Sequence, residues 1–362
     1  MLKIKRITAG VFSVPLKTPF KTALRVVDAI NDVYVRVETD DGIIGLGEAP
    51  PTAVITGDTI ESITAAVEAH IAPKITGLSV MDFEDVMEAV QTALVKNTSA
   101  KAAVDMALYD IRAQALNMPL YRLLGGSCNT LESDVTISLN DTRQMVEDSI
   151  AAVRNGFTIL KIKVGKSGII DAKRVSEIRR EVGANTELRV DANQGWAPKE
   201  SVRIIKAMED AGCDVSLVEQ PVNAHDIAGL RYVTQHVSTP ILADEAVFSP
   251  RDAIEIIQTG AADMINIKLM KTSGIHEALK ICDIAEIYGT PCMMGCMLES
   301  RLSVSAAAHL AAARRIITMA DLDGPMLCAA DPFTGGPSFT GAHITLTGET
   351  GIGIKYESEE KY

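Results

Sequence analysis

The spacing of apolar and polar positions changes period along this chain. Over the first fifty residues the period is two: "NDVYVRVETDDGIIGLGEAP" is two alternating runs joined at Asp41–Gly42, the signal of an antiparallel hairpin. Three stretches of helical period follow. The first, "GDTIESITAAVEAHI", is predicted to begin at Asp58 as N-cap, with Glu61 three residues on; the second is "DFEDVMEAVQTAL"; the third, "SAKAAVDMALYDIRAQAL", is predicted to be capped by Ser99. Pro119 and Gly125–Gly126 close this block. Residues 1–125 therefore read as an α+β unit, strands first and helices after.

From there the texture alternates. "DVTISL", "ILKIKV", "ELRVDA", "SLVEQP", "PILADE", "MINIKL", "PCMMGC" and "IITMADLD" are short apolar runs, each followed by an amphipathic helical segment. Strands alternating with helices form parallel βαβ units, and eight of them predict a (β/α)8 barrel over 126–328. A doubly wound open sheet would carry a Gly-rich phosphate turn after its first strand, and none stands there. The Gly-rich, strand-like segment within 329–362 is expected to return to the N-terminal unit.

Composition narrows the partners. With 362 residues, 47% hydrophobic content and a net charge of −12, the chain suits a large apolar core and lacks the basic footprint of a nucleic-acid binder. No apolar run reaches the ~20 residues that span a bilayer, and the N-terminus lacks a signal-peptide core, so a cytoplasmic protein with no membrane partner is expected. The six cysteines show no C-x-x-C spacing and are expected to be buried free thiols.

In a barrel of this kind the working residues stand at the C-terminal ends of the strands. Here those ends carry Lys161 and Lys163 on the second strand, Asp191 on the third, Glu219 on the fourth, Asp244 and Glu245 on the fifth, Lys268 on the sixth, and Asp321 and Asp323 on the eighth. Each alone could be a helix cap or a solvated charge. Acids closing three consecutive strands, with lysines on both flanks, are instead expected to converge. Converging carboxylates repel unless a cation lies among them, and a hard, oxygen-ligated divalent ion such as Mg²⁺ fits. Lysines beside one another and a metal are expected to have depressed pKa values and to act as bases. A metal with two lysines across a barrel mouth suits proton abstraction α to a carboxylate, and its return on the other face is racemisation or epimerisation.

The K-x-K of Lys161 and Lys163, the acids of "RVDANQGW", "LVEQP" and "LADE", and the lysine of "NIKLMK" resemble the enolase superfamily, within it the muconate-lactonizing-enzyme subgroup. The resemblance covers nearly the whole chain and implies an enolase-type modified barrel under an α+β cap. It implies that Asp191, Glu219 and Asp244 hold one Mg²⁺ per subunit, with Mn²⁺ as a substitute. It also implies that Lys163 serves the L (S) epimer and Lys268 the D (R) epimer, with Lys161 tuning Lys163. Asp321–Leu–Asp323 matches the D-x-D with which the subgroup's dipeptide epimerases hold a substrate ammonium. Arg25, in the loop "PFKTALRVVD", matches the arginine that in alanyl-glutamate epimerases meets the glutamate side chain. Met297 and Leu298 are expected to shape the pocket for the first, small apolar residue. The implied activity is an isomerase acting on L-Ala-D/L-Glu from murein peptide, in a homo-oligomer. The alternatives are an epimerase for hydrophobic or cationic dipeptides, or a muconate cycloisomerase, o-succinylbenzoate synthase or N-acylamino acid racemase of the same subgroup. Outside the family stand a Schiff-base aldolase and a non-catalytic relative that kept the fold.

Overall fold

A computed structural model describes residues 2–355. The period-two N-terminal segment forms an antiparallel sheet of β1 (Ile4–Lys21), β2 (Val26–Thr39) and β3 (Ile44–Ala49), with Gly42 in the β2–β3 turn at φ +90°. Two of the predicted caps move. The first helix begins one residue later than expected: Thr59 is its N-cap and exchanges bonds with Ser62. It then passes through a π-helical turn, Ala66–Ile71, into Ala72–Ile75. The long helix Thr98–Ala115 starts from Asn97, not Ser99. Asp58 and Ser99, expected to cap separate helices, meet instead: Asp58 Oδ2 accepts the Ser99 N–H at 3.2 Å. A carboxylate on one helix's approach thus satisfies a free donor in the first turn of another.

The helix Thr98–Ala115 lies directly on β3. A Cβ placed on Gly45 or Gly47 would fall 2.0 or 1.9 Å from the carbonyl oxygens of Ala107 and Ala103, so these two glycines set the separation of helix and sheet.

All eight barrel strands are observed. After a short strand β4 (Thr130–Glu132) come β5 (Val135–Ile137), β6 (Ile159–Lys163), β7 (Glu187–Asp191), β8 (Val215–Glu219), β9 (Ile241–Ala243), β10 (Met264–Ile267), β11 (Cys292–Gly295) and β12 (Ile317–Asp321). Neighbours pair in parallel in sequence order, and a parallel bridge from Ser133 to Ala320 joins the last strand to the first. The helices stop where the glycines predict, with Gly212 at φ +65° and Gly260 at +62°. The C-terminal segment adds strands Ser338–Thr340 and His343–Thr345 beside β4, and Ile352 N–H binds Asp110 of the long cap helix at 2.9 Å. Five cysteines are buried, but Cys128 is exposed, contrary to expectation. No helix among the described residues is long and apolar enough to cross a membrane.

Candidate active site

Register explains why the charged residues converge. Lys163 on β6 pairs level with Asp191 on β7, which pairs level with Glu219 on β8, so three functional groups end three adjacent strands at one height. Every residue of β6 is buried, and alternation turns Lys161 and Lys163 to the same side. Lys268 follows β10, four strands round the barrel from β6 and hence across its mouth.

The side chains interlock. Lys161 Nζ lies 2.6 Å from Asp321 Oδ2, 2.7 Å from Glu219 Oε2 and 3.2 Å from Asp191 Oδ2. Lys163 Nζ lies 2.5 Å from Asp191 Oδ2, and Lys268 Nζ 2.8 Å from Asp244 Oδ2. Above them a cavity is lined on the barrel side by Lys161, Lys163, Lys268, Met297, Leu298, Asp321 and Asp323. The cap contributes Phe20, Thr22, Leu24 and Arg25 from one loop and Val54 and Ile55 from another. The structure thus brings every predicted lysine, the D-x-D pair, Arg25 and the Met297–Leu298 segment to one cavity. Asp191, Glu219 and Asp244 form its floor, bonded to the lysines.

With no metal ion among the acids, the electrostatics run opposite to those expected of lysines beside one. Burial works to depress Lys161, but Asp321, Glu219, Asp191 and Asp134 outweigh it and hold the ammonium well above the usual lysine range. Lys268 is likewise raised: burial lowers it, and Asp244, Glu219 and Asp321 together overcome that. The reason is the charge count. Six buried carboxylates (Asp191, Glu219, Asp244, Glu245, Asp321 and Asp323) surround four buried lysines (Lys161, Lys163, Lys268 and Lys271). Three of the acids are raised by burial and by one another. Burial and Asp191 push Glu219 up to about 7, burial and Asp244 push Glu245 to about 8, and burial and Asp321 push Asp323 to about 6.

Counted as ionised, the six acids exceed the four lysines by two charges, a deficit that one divalent cation would fill, and Glu245 Oε2 and Asn193 Oδ1 are buried acceptors with no hydrogen-bond partner. The donor set is all hard oxygen and fits Mg²⁺. As the side chains stand, ammonium groups separate the acids, and among the described residues no three ligating side chains form a ready-made metal cage.

Several residues at the site were not singled out from sequence. Asn266 donates to Glu219 Oε1 at 2.9 Å; it stands two residues before Lys268, so strand alternation on that segment could have found it. Gln220 Oε1 accepts the N–H groups of Asp244 and Ala246, fixing the β9 end. Lys271 is wholly buried and meets Asp244 Oδ1 at 2.6 Å and the Asn266 carbonyl at 2.9 Å. Trp196 packs as expected, its indole N–H bonded to Asp171.

Comparison with known proteins places these features. Residues 6–125 match the mandelate racemase/muconate lactonizing enzyme N-terminal domain, and residues 144–361 match the enolase C-terminal domain-like family. The L-Ala-D/L-Glu epimerase of Clostridium acetobutylicum is 52% identical over 97% of this chain and 98% of its own length. The solved substrate-liganded complex of the L-Ala-D/L-Glu epimerase from Bacillus subtilis superposes with a TM-score of 0.97 at 49% identity, covering 99% of this chain and all of that one. A dipeptide epimerase from Enterococcus faecalis, solved with Mg and the dipeptide L-Leu-L-Tyr, superposes at 0.94 with 41% identity over 98% and 100% of the two chains.

Proposed function

Starting from the fact that the chain belongs to the mandelate racemase/muconate lactonizing enzyme family of enolase-type isomerases, we propose that it is an Mg²⁺-dependent dipeptide epimerase acting on L-Ala-D/L-Glu. The observation that carries this reading is a pair of lysines, Lys163 and Lys268, opposed across one cavity whose rim holds two carboxylates and one arginine. A dipeptide with a free ammonium and an acidic side chain complements that charge pattern. Asp321 and Asp323 receive the ammonium. Arg25 receives the distal carboxylate. Met297 and Leu298 wall the alanyl methyl.

Asp191, Glu219 and Asp244 would hold the ion, which supplies the positive charge against which an ene-diolate forms at the α-carboxylate. Asp244 engaged elsewhere would release Lys268 from the ion pair that keeps it protonated. Lys163 takes the α-proton of the S epimer and Lys268 returns one on the opposite face; the reverse reaction exchanges their roles. Lys161, clasped by three carboxylates, stays cationic beside Lys163. We assign the cap to 1–125 together with 329–362, of which residues 1 and 356–362 lie outside the described residues, and the catalytic barrel to 126–328. Murein peptide is the source that supplies such a dipeptide.

The test is incubation of L-Ala-L-Glu in D2O with Mg²⁺. Deuterium is expected at the glutamyl α-carbon together with conversion to the D epimer, and Lys163→Ala and Lys268→Ala should each abolish conversion. Absence of α-deuterium ends the Ala-Glu assignment, and wild-type conversion by either variant ends the two-base mechanism. L-Leu-L-Tyr and a cationic dipeptide, run alongside, separate this specificity from that of other dipeptide epimerases.

A further inference from the structure

The cap reaches the barrel by more than the loops that line the cavity. The barrel helix after β10, Ile275–Tyr288, has no side-chain cap of its own; its N-cap is Gly274, at φ +107°. The space beside that glycine is taken by a cap residue. A Cβ on Gly274 would lie 2.3 Å from Asp105 Cγ and 2.4 Å from its Oδ1. Asp105 belongs to the long cap helix Thr98–Ala115 and is fully buried. Its Oδ1 accepts the Ile275 N–H at 2.6 Å and its Oδ2 the His276 N–H at 3.1 Å, so both oxygens satisfy orphan donors of the barrel helix. A second cap residue, Gln91, donates to the Ser273 carbonyl at 3.0 Å. At the neighbouring barrel helix, Arg301–Ala313, Glu48 of β3 does the same: it accepts the N–H groups of Ser300 at 2.7 Å and Ser303 at 2.9 Å.

The segment so anchored carries Lys268. Between Lys268 and Gly274 the chain closes on itself: the Lys271 and Thr272 N–H groups bond the Lys268 carbonyl at 2.9 and 3.1 Å, and the Gly274 N–H bonds the Leu269 carbonyl at 2.9 Å. A shift of Gly274–Ile275 must therefore carry the Lys268 backbone with it. Among the described residues no hydrogen bond from the cap holds the segment after Lys163, where Gly165 and Ser167 bond the barrel's own Asp171; the cap meets Lys163 through the Phe20 ring, 5.9 Å from its Nζ. We propose that Asp105 is a positioning residue of the cap that fixes Lys268, and not Lys163, for proton transfer. This inference rests on the two-base reading given above.

The two half-reactions separate in one experiment. Starting from L-Ala-L-Glu in D2O, α-hydrogen exchange with retention reports Lys163, and conversion to the D epimer requires Lys268 as well. Asp105→Asn turns an amide N–H toward the His276 N–H in place of an acceptor. With the lysine displaced by a fraction of an ångström, conversion is expected to fall about 10- to 100-fold, with KM within about twofold. Exchange with retention should stay within about twofold of wild type, and peptides spanning 269–276 should exchange their amide hydrogens faster. Should Asp105→Asn fail to fold, Gln91→Leu removes the milder anchor at Ser273 and takes the same readouts, with a smaller loss of conversion and the same retained exchange.

Exchange and conversion falling together in a folded variant would mark a general structural role and overturn the proposal. So would conversion unchanged despite faster amide exchange. If wild-type enzyme exchanges no α-hydrogen from this or any other dipeptide, the epimerase reading itself fails, and the assignment of Asp105 with it.

Discussion

Arg25 offers the sharpest test of substrate choice. It stands on the loop between β1 and β2, half-buried, and lines the cavity opposite the barrel lysines. Among the described residues its guanidinium has no carboxylate within 4 Å; burial pulls its pKa down, and Asp32 partly offsets this from further away. A planar fork of donors without a close partner, facing a cavity, gains most from a carboxylate that arrives with the substrate. A hydrogen-bonded charge pair contributes about 1.5–3 kcal/mol, and water still reaching this half-exposed group favours the lower half of that range. Arg25→Met is therefore expected to lower kcat/KM for L-Ala-L-Glu about 10- to 50-fold. The same variant should leave L-Ala-L-Gln, its neutral isostere, within about threefold of wild type, because no charge is then left unpaired. Polarimetry on the two dipeptides measures both. An equal loss on Glu and Gln substrates, or no loss on Glu, refutes the pairing of Arg25 with the distal carboxylate.

Other outcomes follow from buried groups elsewhere. His309 accepts the Tyr121 N–H at Nδ1 and is held neutral by burial at about 3, against an unfolded value near 6.5. Its contribution is complete above pH 6.5 and is lost as pH falls from there toward 3, by about 4–5 kcal/mol in all; urea titrations across that window should show the slope, and His309→Gln should flatten it. Gly47→Ala would set a methyl against the Ala103 carbonyl and is expected to cost about 1–3 kcal/mol, seen as a lowered melting temperature. Arg189→Met strips the buried Asp134 of its 2.9 Å partner and should cost about 3–5 kcal/mol in denaturant unfolding; unchanged stability would show that Asp134 takes up a proton at no cost. Chelation by EDTA should abolish epimerisation, and added Mg²⁺ should restore it; activity that survives exhaustive chelation removes the metal from the reaction.

The barrel was readable because eight apolar runs alternated with helical segments and six of them carried charged residues at their ends, and strand register did the rest. Lys163, Asp191 and Glu219 stand level because each ends its run, and a run's end is visible in sequence. What stayed hidden depends on tertiary neighbours. Asp58 and Ser99 each looked like the cap of its own helix, and local spacing cannot show that they bond across two helices. Asp105 is one more polar residue in a helix until Gly274 is seen beside it. Lys271 carries no signal in the sequence that sets it apart from other lysines, yet it is wholly buried against Asp244.

The direction of the lysine pKa shifts depends on which cations share the cavity. From sequence, the lysines were weighed against each other and a metal, and repulsion among cations depresses an ammonium. The fold adds Asp321 and Asp134 to the neighbours of Lys161, and Asp244, Glu219 and Asp321 together outweigh the burial of Lys268. Buried ion pairs seldom stabilise a fold, since desolvation consumes much of the attraction. A barrel floor of six acids and four lysines is therefore poorly explained by stability. A dication sharing the cavity would supply the positive charge these acids lack, and Lys268 would act as a base once Asp244 had another cation to hold. Metal binding and base activation are then two consequences of one charge deficit, and removing either Asp244 or the metal should disable the reaction for different reasons: the first by weakening the ion's hold, the second by leaving Lys268 protonated.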